Sequence, residues 1–172
     1  TDGTSQTIVT DETWKVGNGP ILRNSVYLGE VYDARKEQPG WDKPGFDDSS
    51  WQPAAGASEP LGPLCAQDAP PIRVTRVLKP VKLTEPKPGV HIFDLGQNFT
   101  GWAQLRVRGP AGSKVTLRFA EMLNPDGTIY TTNLRGAKCT DVYILSGRGH
   151  GGEEGGIQGG GQGGGQGVGA AE

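Results

Sequence analysis

Apolar residues in this chain recur mostly at every second position. "QTIVT", "TWKV", "SVYLGEVYDA", "IRVTRVLKPVKLT", "VHIFDL", "WAQLRVRG", "KVTLRFAEML" and "DVYILSG" all alternate in this way. A period of two places one set of side chains on a buried sheet face and the other in water, which predicts strands. Between these runs lie "GNGP", "QPGWDKPG", "FDDSSW", "EPKPG", "GPAGS" and "NPDG". Glycine, proline and Asx residues in such clusters predict turns, and "NPDG" predicts a tight one. In "FDDSSW" a short helical turn is expected, with Asp47 or Asp48 as its N-cap. No stretch sustains the i, i+3, i+4, i+7 pattern of an amphipathic helix. The pattern therefore predicts an all-β chain of jelly-roll or β-sandwich segments, mostly antiparallel. "WAQLRVRG" and "KVTLRF" read as antiparallel neighbours joined through "GPAGS", with Leu105 and Val107 on one apolar face and Val115, Leu117 and Phe119 on another.

Composition changes this picture at the C-terminal end. The chain has 172 residues, with 29 Gly and 13 Pro. Much of the glycine is concentrated after Gly147, in "RGHGGEEGGIQGGGQGGGQGVGAAE". Such a segment offers almost no apolar surface against the entropy of ordering it, so residues 147–172 are expected to be a disordered Gly-rich tail. The prolines around residues 71–88 mark a boundary. The division expected is residues 1–75, the C-terminal part of a jelly-roll carbohydrate-binding-like domain, and residues 76–146, a second, incomplete β-sandwich.

Charge excludes some functions. Seventeen basic and 19 acidic residues give a formal net charge of -2, and no long basic run is present. That speaks against a nucleic-acid partner. No apolar run approaches the roughly 20 residues that cross a bilayer as a helix. The first residues contain no basic segment followed by an apolar one, so no secretory leader is read and the compartment stays open. Cys65 and Cys139 lie too far apart for a CxxC motif; two buried free thiols are expected, with a disulfide as the alternative. His91 sits in a strand run and reads as a packed or surface residue.

The chemistry-bearing stretch is "GEVYDAR", residues 29–35. It offers Glu30, Tyr32, Asp33 and Arg35. Glycosidases need two opposed carboxylates about 5 to 10 Å apart. Residues i and i+3 of an extended strand face opposite ways, so Glu30 and Asp33 do not form such a pair. No catalytic residues are assigned. Three readings stay open: a corner ion pair of Asp33 and Arg35 beside a core Tyr32, a sugar contact, or a metal site. For sugar contact the candidates are Asp33, Glu30, Arg35 and Trp41, the last as an aromatic platform. For a metal the candidate is Asp33. In "FDLGQNFTGW" the polar residues Asp94, Gln97 and Asn98 read first as turn formers. Motifs for nucleophilic hydrolases, zinc peptidases, P-loops and dinucleotide folds are absent.

Three motifs together carry a resemblance: "GEVYDAR", "FDLGQNFTGW" and "EMLNPDGTIYTTNLR". In that order the chain resembles the bacterial α-L-rhamnosidases from about Trp14 to Gly147. The resemblance implies non-catalytic β-domains that precede an (α/α)6 catalytic barrel, with part of the β-domains and the whole barrel missing. It implies inverting hydrolysis of terminal α-L-rhamnose by that absent barrel, a carbohydrate partner in terminal L-rhamnose, and no cofactor beyond a calcium ion in some relatives. It also implies that Asp33 is the calcium or sugar ligand, although Ala34 stands where calcium-dependent relatives have an amide. A free-standing lectin-like module and a structural β-protein are the alternatives.

Overall fold

The computed structural model describes residues 3–5, 7–56, 62–63, 65–148, 155–156 and 166–171. Among the described residues thirteen strands follow in chain order: β1 Lys15–Val16, β2 Ile21–Arg23, β3 Val31–Asp33, β4 Gln52–Pro53, β5 Lys82–Lys87, β6 Val90–Asn98, β7 Gln104–Leu105, β8 Lys114–Ala120, β9 Met122–Leu123, β10 Ile129–Tyr130, β11 Thr140–Ile144, β12 Gly155–Gly156 and β13 Gln166–Ala171. Two single 3-10 turns, Ala34–Lys36 and Thr132–Leu134, are the helical elements among the described residues. The all-β, mostly antiparallel class expected from the alternation is what the chain adopts. One pairing, β3 with β11, is parallel.

Two compact units result. The first comprises Thr1–Gly19 and Gln38–Ile72, the second Pro20–Glu37 and Arg73–Glu172. Residues 20–37, which carry "GEVYDAR", pack with the C-terminal part of the chain.

In the first unit β1 pairs with β4. Lys15 bridges Asp48 at 2.8 Å across this hairpin-like contact. Trp51 packs on Phe46 and donates its indole N–H to Gln38 at 2.9 Å. A Cβ on Gly17 would meet that indole at 2.7 Å, so the close approach requires glycine. The expected helical turn at "FDDSSW" is a turn only: Asp47 accepts the Ser49 N–H at 3.0 Å, and Trp51 N–H reaches back to Asp48 O.

The second unit is built on a seven-stranded sheet in the order β2-β3-β11-β8-β13-β6-β5. Its buried apolar residues include Ala34, Ile92, Leu117, Ala120, Ile144 and Leu145. "NPDG" makes the tight β9–β10 connection, with Asp126 accepting the Thr128 N–H at 2.9 Å. Several expected strands are shorter than their alternation. Residues 7–10 of "QTIVT" and most of "IRVTRVLKPVKLT" form no strand, because alternation without a pairing partner leaves the backbone unsatisfied. The segment "SVYLGEVYDA" is broken at Gly29, where φ is +90. Strands β7 and β8 are not paired with each other; β8 lies between β11 and β13, and β7 pairs with β12.

Two short pieces of the Gly-rich tail, β12 and β13, are paired as strands. β13 lies between β6 and β8, antiparallel to both. Its sequence is "QGVGAA". The rest of that tail beyond Arg148 lies outside the described residues. Both cysteines are free; Cys65 is exposed rather than buried.

Candidate functional site

The stretch 29–35 is shaped by its two ends. At the first end, Gly29 adopts a left-handed conformation, and a Cβ there would lie 2.2 Å from the Thr140 carbonyl oxygen. Only glycine allows that approach. It brings residues 27–31 alongside the start of β11: Lys138 N–H donates to Tyr27 O, and Val142 N–H to Glu30 O, each at 2.8 Å. The Glu30 N–H in turn donates to Asp141 Oδ1 at 2.7 Å.

Glu30 and Asp141 are both buried, 6% and 2% exposed. Asn24 donates its side-chain amide to Glu30 Oε2 at 3.0 Å. Asp141 Oδ2 has no hydrogen-bond partner among the described residues. Burial pushes the Asp141 carboxyl above the ordinary range, with the Glu30 amide and the Arg23 charge pulling partly back. Burial, then the Asp141 charge, push Glu30 upward as well. Cys139, close by at φ +42, has its thiol raised by burial and by Asp141.

At the other end, Asp33 closes β3 and caps the 3-10 turn Ala34–Lys36. Its carboxylate is fully committed. Oδ1 accepts the Arg35 backbone N–H at 3.1 Å and Nε at 2.8 Å, and Oδ2 accepts Nη2 at 2.8 Å. Asp33 is 2% exposed, and its pKa is held down at about 2, first by the Arg35 side-chain hydrogen bonds. The two residues meet as a cap and its turn, not as neighbours on one strand face. Tyr32 stacks on Tyr143, centroids 5.3 Å apart, and donates its hydroxyl to Glu37 at 2.8 Å.

Glu30, Asp33 and Arg35 are thus brought into the second unit, whereas Trp41 belongs to the first, its side chain 64% exposed. Asp33 does not suit a calcium ion, which takes six to eight oxygen ligands. Both its oxygens hold the guanidinium, and Ala34 adds none. No group of three or more His, Cys, Asp or Glu side chains among the described residues is arranged to hold a metal. Asp141 was missed as a site residue. Its signal was an acid inside the apolar run "TDVYIL", but its partner lies 111 residues away. In "FDLGQNFTGW", Asp94 accepts the Gly96 N–H at 2.8 Å and so serves local structure, while Gln97 accepts from the more distant Arg76.

Known proteins fit this arrangement. Residues 1–76 match the α-L-rhamnosidase N-terminal domain, and residues 84–155 the bacterial α-L-rhamnosidase concanavalin-like domain. An α-L-rhamnosidase of Streptomyces avermitilis is 51% identical over 149 residues, covering 86% of this chain and 14% of the relative. One from Formosa agariphila is 39% identical over 153 residues, 86% of this chain and 16% of the relative. Among solved structures, the Streptomyces avermitilis α-L-rhamnosidase complexed with L-rhamnose superposes with a TM-score of 0.88 at 46% identity, over 98% of this chain and 16% of that one. The native enzyme of Aspergillus terreus gives 0.84 at 34% identity, again over 98% of this chain and 19% of its own. The chain spans about one-sixth or less of the curated relatives cited. It belongs to the bacterial α-L-rhamnosidase family, and the part it carries is that family's N-terminal and concanavalin-like β-domains.

Proposed function

We propose that this chain is the ancillary β-portion of an α-L-rhamnosidase, and that hydrolysis of terminal α-L-rhamnose belongs to a catalytic domain outside the matched region. The observation that carries this reading is the commitment of the carboxylates. Asp33 is neutralised by Arg35, and Glu30 and Asp141 are buried on one another. Neither arrangement leaves two opposed carboxyls with room for a sugar and a water between them. Glu30, Asp33 and Arg35 serve the packing and capping of their own segment.

Weak contact with terminal L-rhamnose is part of the proposal. The exposed indole of Trp41 supports it as an aromatic surface with an apolar face. A single sugar on one side chain offers few contacts against the cost of association, so the affinity is low. The lectin-like alternative requires tight binding by this chain alone.

Two measurements test the reading. A purified sample should not hydrolyse an aryl α-L-rhamnoside; turnover that disappears in Asp33→Ala or Glu30→Ala would overturn it. In a rhamnose titration followed by NMR, Trp41→Ala should lose the weak response and Asp33→Asn keep it. Equal responses from wild type and Trp41→Ala would remove Trp41 from the site, and a chelator that abolished binding would restore calcium to the account.

A further inference from the structure

The segment from Arg73 to Leu83 has an unusual surface. Val74, Val77, Val81 and Leu83 are 60%, 75%, 70% and 59% exposed. Among them stand Arg73, Arg76, Lys79 and Lys82, and no acidic residue occurs between Asp68 and Glu85. Arg76 is occupied by Gln97. Arg73, Lys79 and Lys82 enter no ion pair among the described residues. Four large apolar side chains exposed within eleven residues mark an interaction surface more often than a solvent face.

The backbone points the same way. Arg73–Lys79 makes no backbone–backbone hydrogen bond among the described residues. From Lys82 the chain enters β5, the last strand of the seven-stranded sheet, which pairs with β6 on one side only. An open edge continued by a segment whose backbone groups are unpaired among the described residues is a template for an added strand.

We propose that residues 73–83, continuous with the free edge of β5, are a docking strand for a partner segment that is extended, apolar and acidic. Charge selects that partner over a second copy of this chain. Two such edges laid together would bring their arginines and lysines into one ladder, where like charges repel. An acidic strand meets the same cations with attraction, and its apolar residues cover the exposed valines. Pro80 and Pro86 lack an N–H, so the added ladder is interrupted and the affinity modest.

The test uses the full chain and a fluorescent, end-capped peptide of alternating valine and glutamate, with a valine–lysine peptide as its counterpart. Anisotropy should show the acidic peptide binding about tenfold or more tightly than the basic one, and weakening as salt rises. The triple variant R73E/K79E/K82E should invert that preference. Its positions are exposed, and an unchanged circular dichroism spectrum shows that it is folded. Equal binding of both peptides, no binding of either, or an unchanged preference in the variant would overturn the proposal. Sedimentation showing self-association that the triple variant abolishes would also overturn it, in favour of a second copy.

Discussion

Asp33 and Asp141 are each 2% exposed, yet their carboxyl pKa values are shifted in opposite directions. Asp33 receives three donors from one arginine two residues away. Asp141 receives one backbone N–H from Glu30, keeps a bare Oδ2, and shares its surroundings with a second carboxyl. The difference shows that burial alone does not decide whether a carboxylate is comfortable. At Asp33 the arginine's hydrogen bonds outweigh desolvation, whereas at Asp141 desolvation outweighs the single backbone donor.

The largest expected effect breaks the long-range contact at its hinge. Gly29→Ala adds a Cβ against the Thr140 carbonyl and forces alanine to a φ of +90. Left-handed strain and a backbone clash together should cost about 2 to 5 kcal/mol. Urea denaturation of the variant should show a strongly lowered midpoint. An unchanged midpoint would mean that residues 27–31 do not lie against β11 as described.

Substitution of Asp141 separates its two roles. Asp141→Ala removes the acceptor for the buried Glu30 N–H and should cost about 1 to 3 kcal/mol. Asp141→Asn keeps an oxygen there and removes the charge, so it should stabilise the protein at neutral pH, by on the order of 1 kcal/mol. The pH dependence follows from the sign of the shift. Asp141 and Glu30 have folded pKa values above their ordinary 3.8 and 4.5, so the folded state binds more protons there than the unfolded state. Stability from this pair is greatest below those values and declines as pH rises through the raised ones. Asp141→Asn should flatten that decline. A variant whose urea midpoint follows the wild-type pH curve would show that Asp141 is not the titrating group.

These two sites also mark what the sequence made legible. The alternation in "KVTLRFAEML" and "VHIFDL" located β8 and the first part of β6, because a half-buried strand writes its period into its own residues, whereas Gln97 and Asn98, read as turn formers, continue β6. The Asp33–Arg35 pair was legible for a similar reason, its partners being two residues apart. The Glu30–Asp141 contact was not, since nothing near Glu30 specifies which of the later acids will meet it. "IRVTRVLK" misled in the other direction: it alternates, but a strand needs a neighbour, and residues 72–79 have none among the described residues. Composition speaks to side-chain burial and could not indicate that the backbone of residues 166–171 pairs with β6 and β8.

Asp33→Asn tests the other half of the comparison and should have a smaller effect. The asparagine retains an acceptor for the Arg35 amide and loses the charge. Because the folded pKa of Asp33 is about 2 against an ordinary 3.8, its contribution is present above that ordinary value and is lost as pH falls through the interval. The variant's urea midpoint should therefore lie below wild type at neutral pH and converge with it near the lower limit. A difference that persisted unchanged in acid would assign the loss to packing rather than charge.

The smallest expected effect comes from Arg35→Lys, which keeps the charge and removes the planar fork. Arginine reaches both Asp33 oxygens at once, through Nε and Nη2, each at 2.8 Å. An ammonium is a single point donor and cannot hold both oxygens in that geometry. The backbone bond from residue 35 to Oδ1 is independent of the side chain and should survive. The Asp33 carboxyl should then titrate above its present value of about 2 while staying below its ordinary 3.8. Carboxyl-carbon NMR through an acid titration reads this directly, with overall stability near wild type because the arginine side chain is 51% exposed. A carboxyl that still titrated at the wild-type pH would show that the cap's backbone N–H, rather than the guanidinium fork, holds Asp33 ionised.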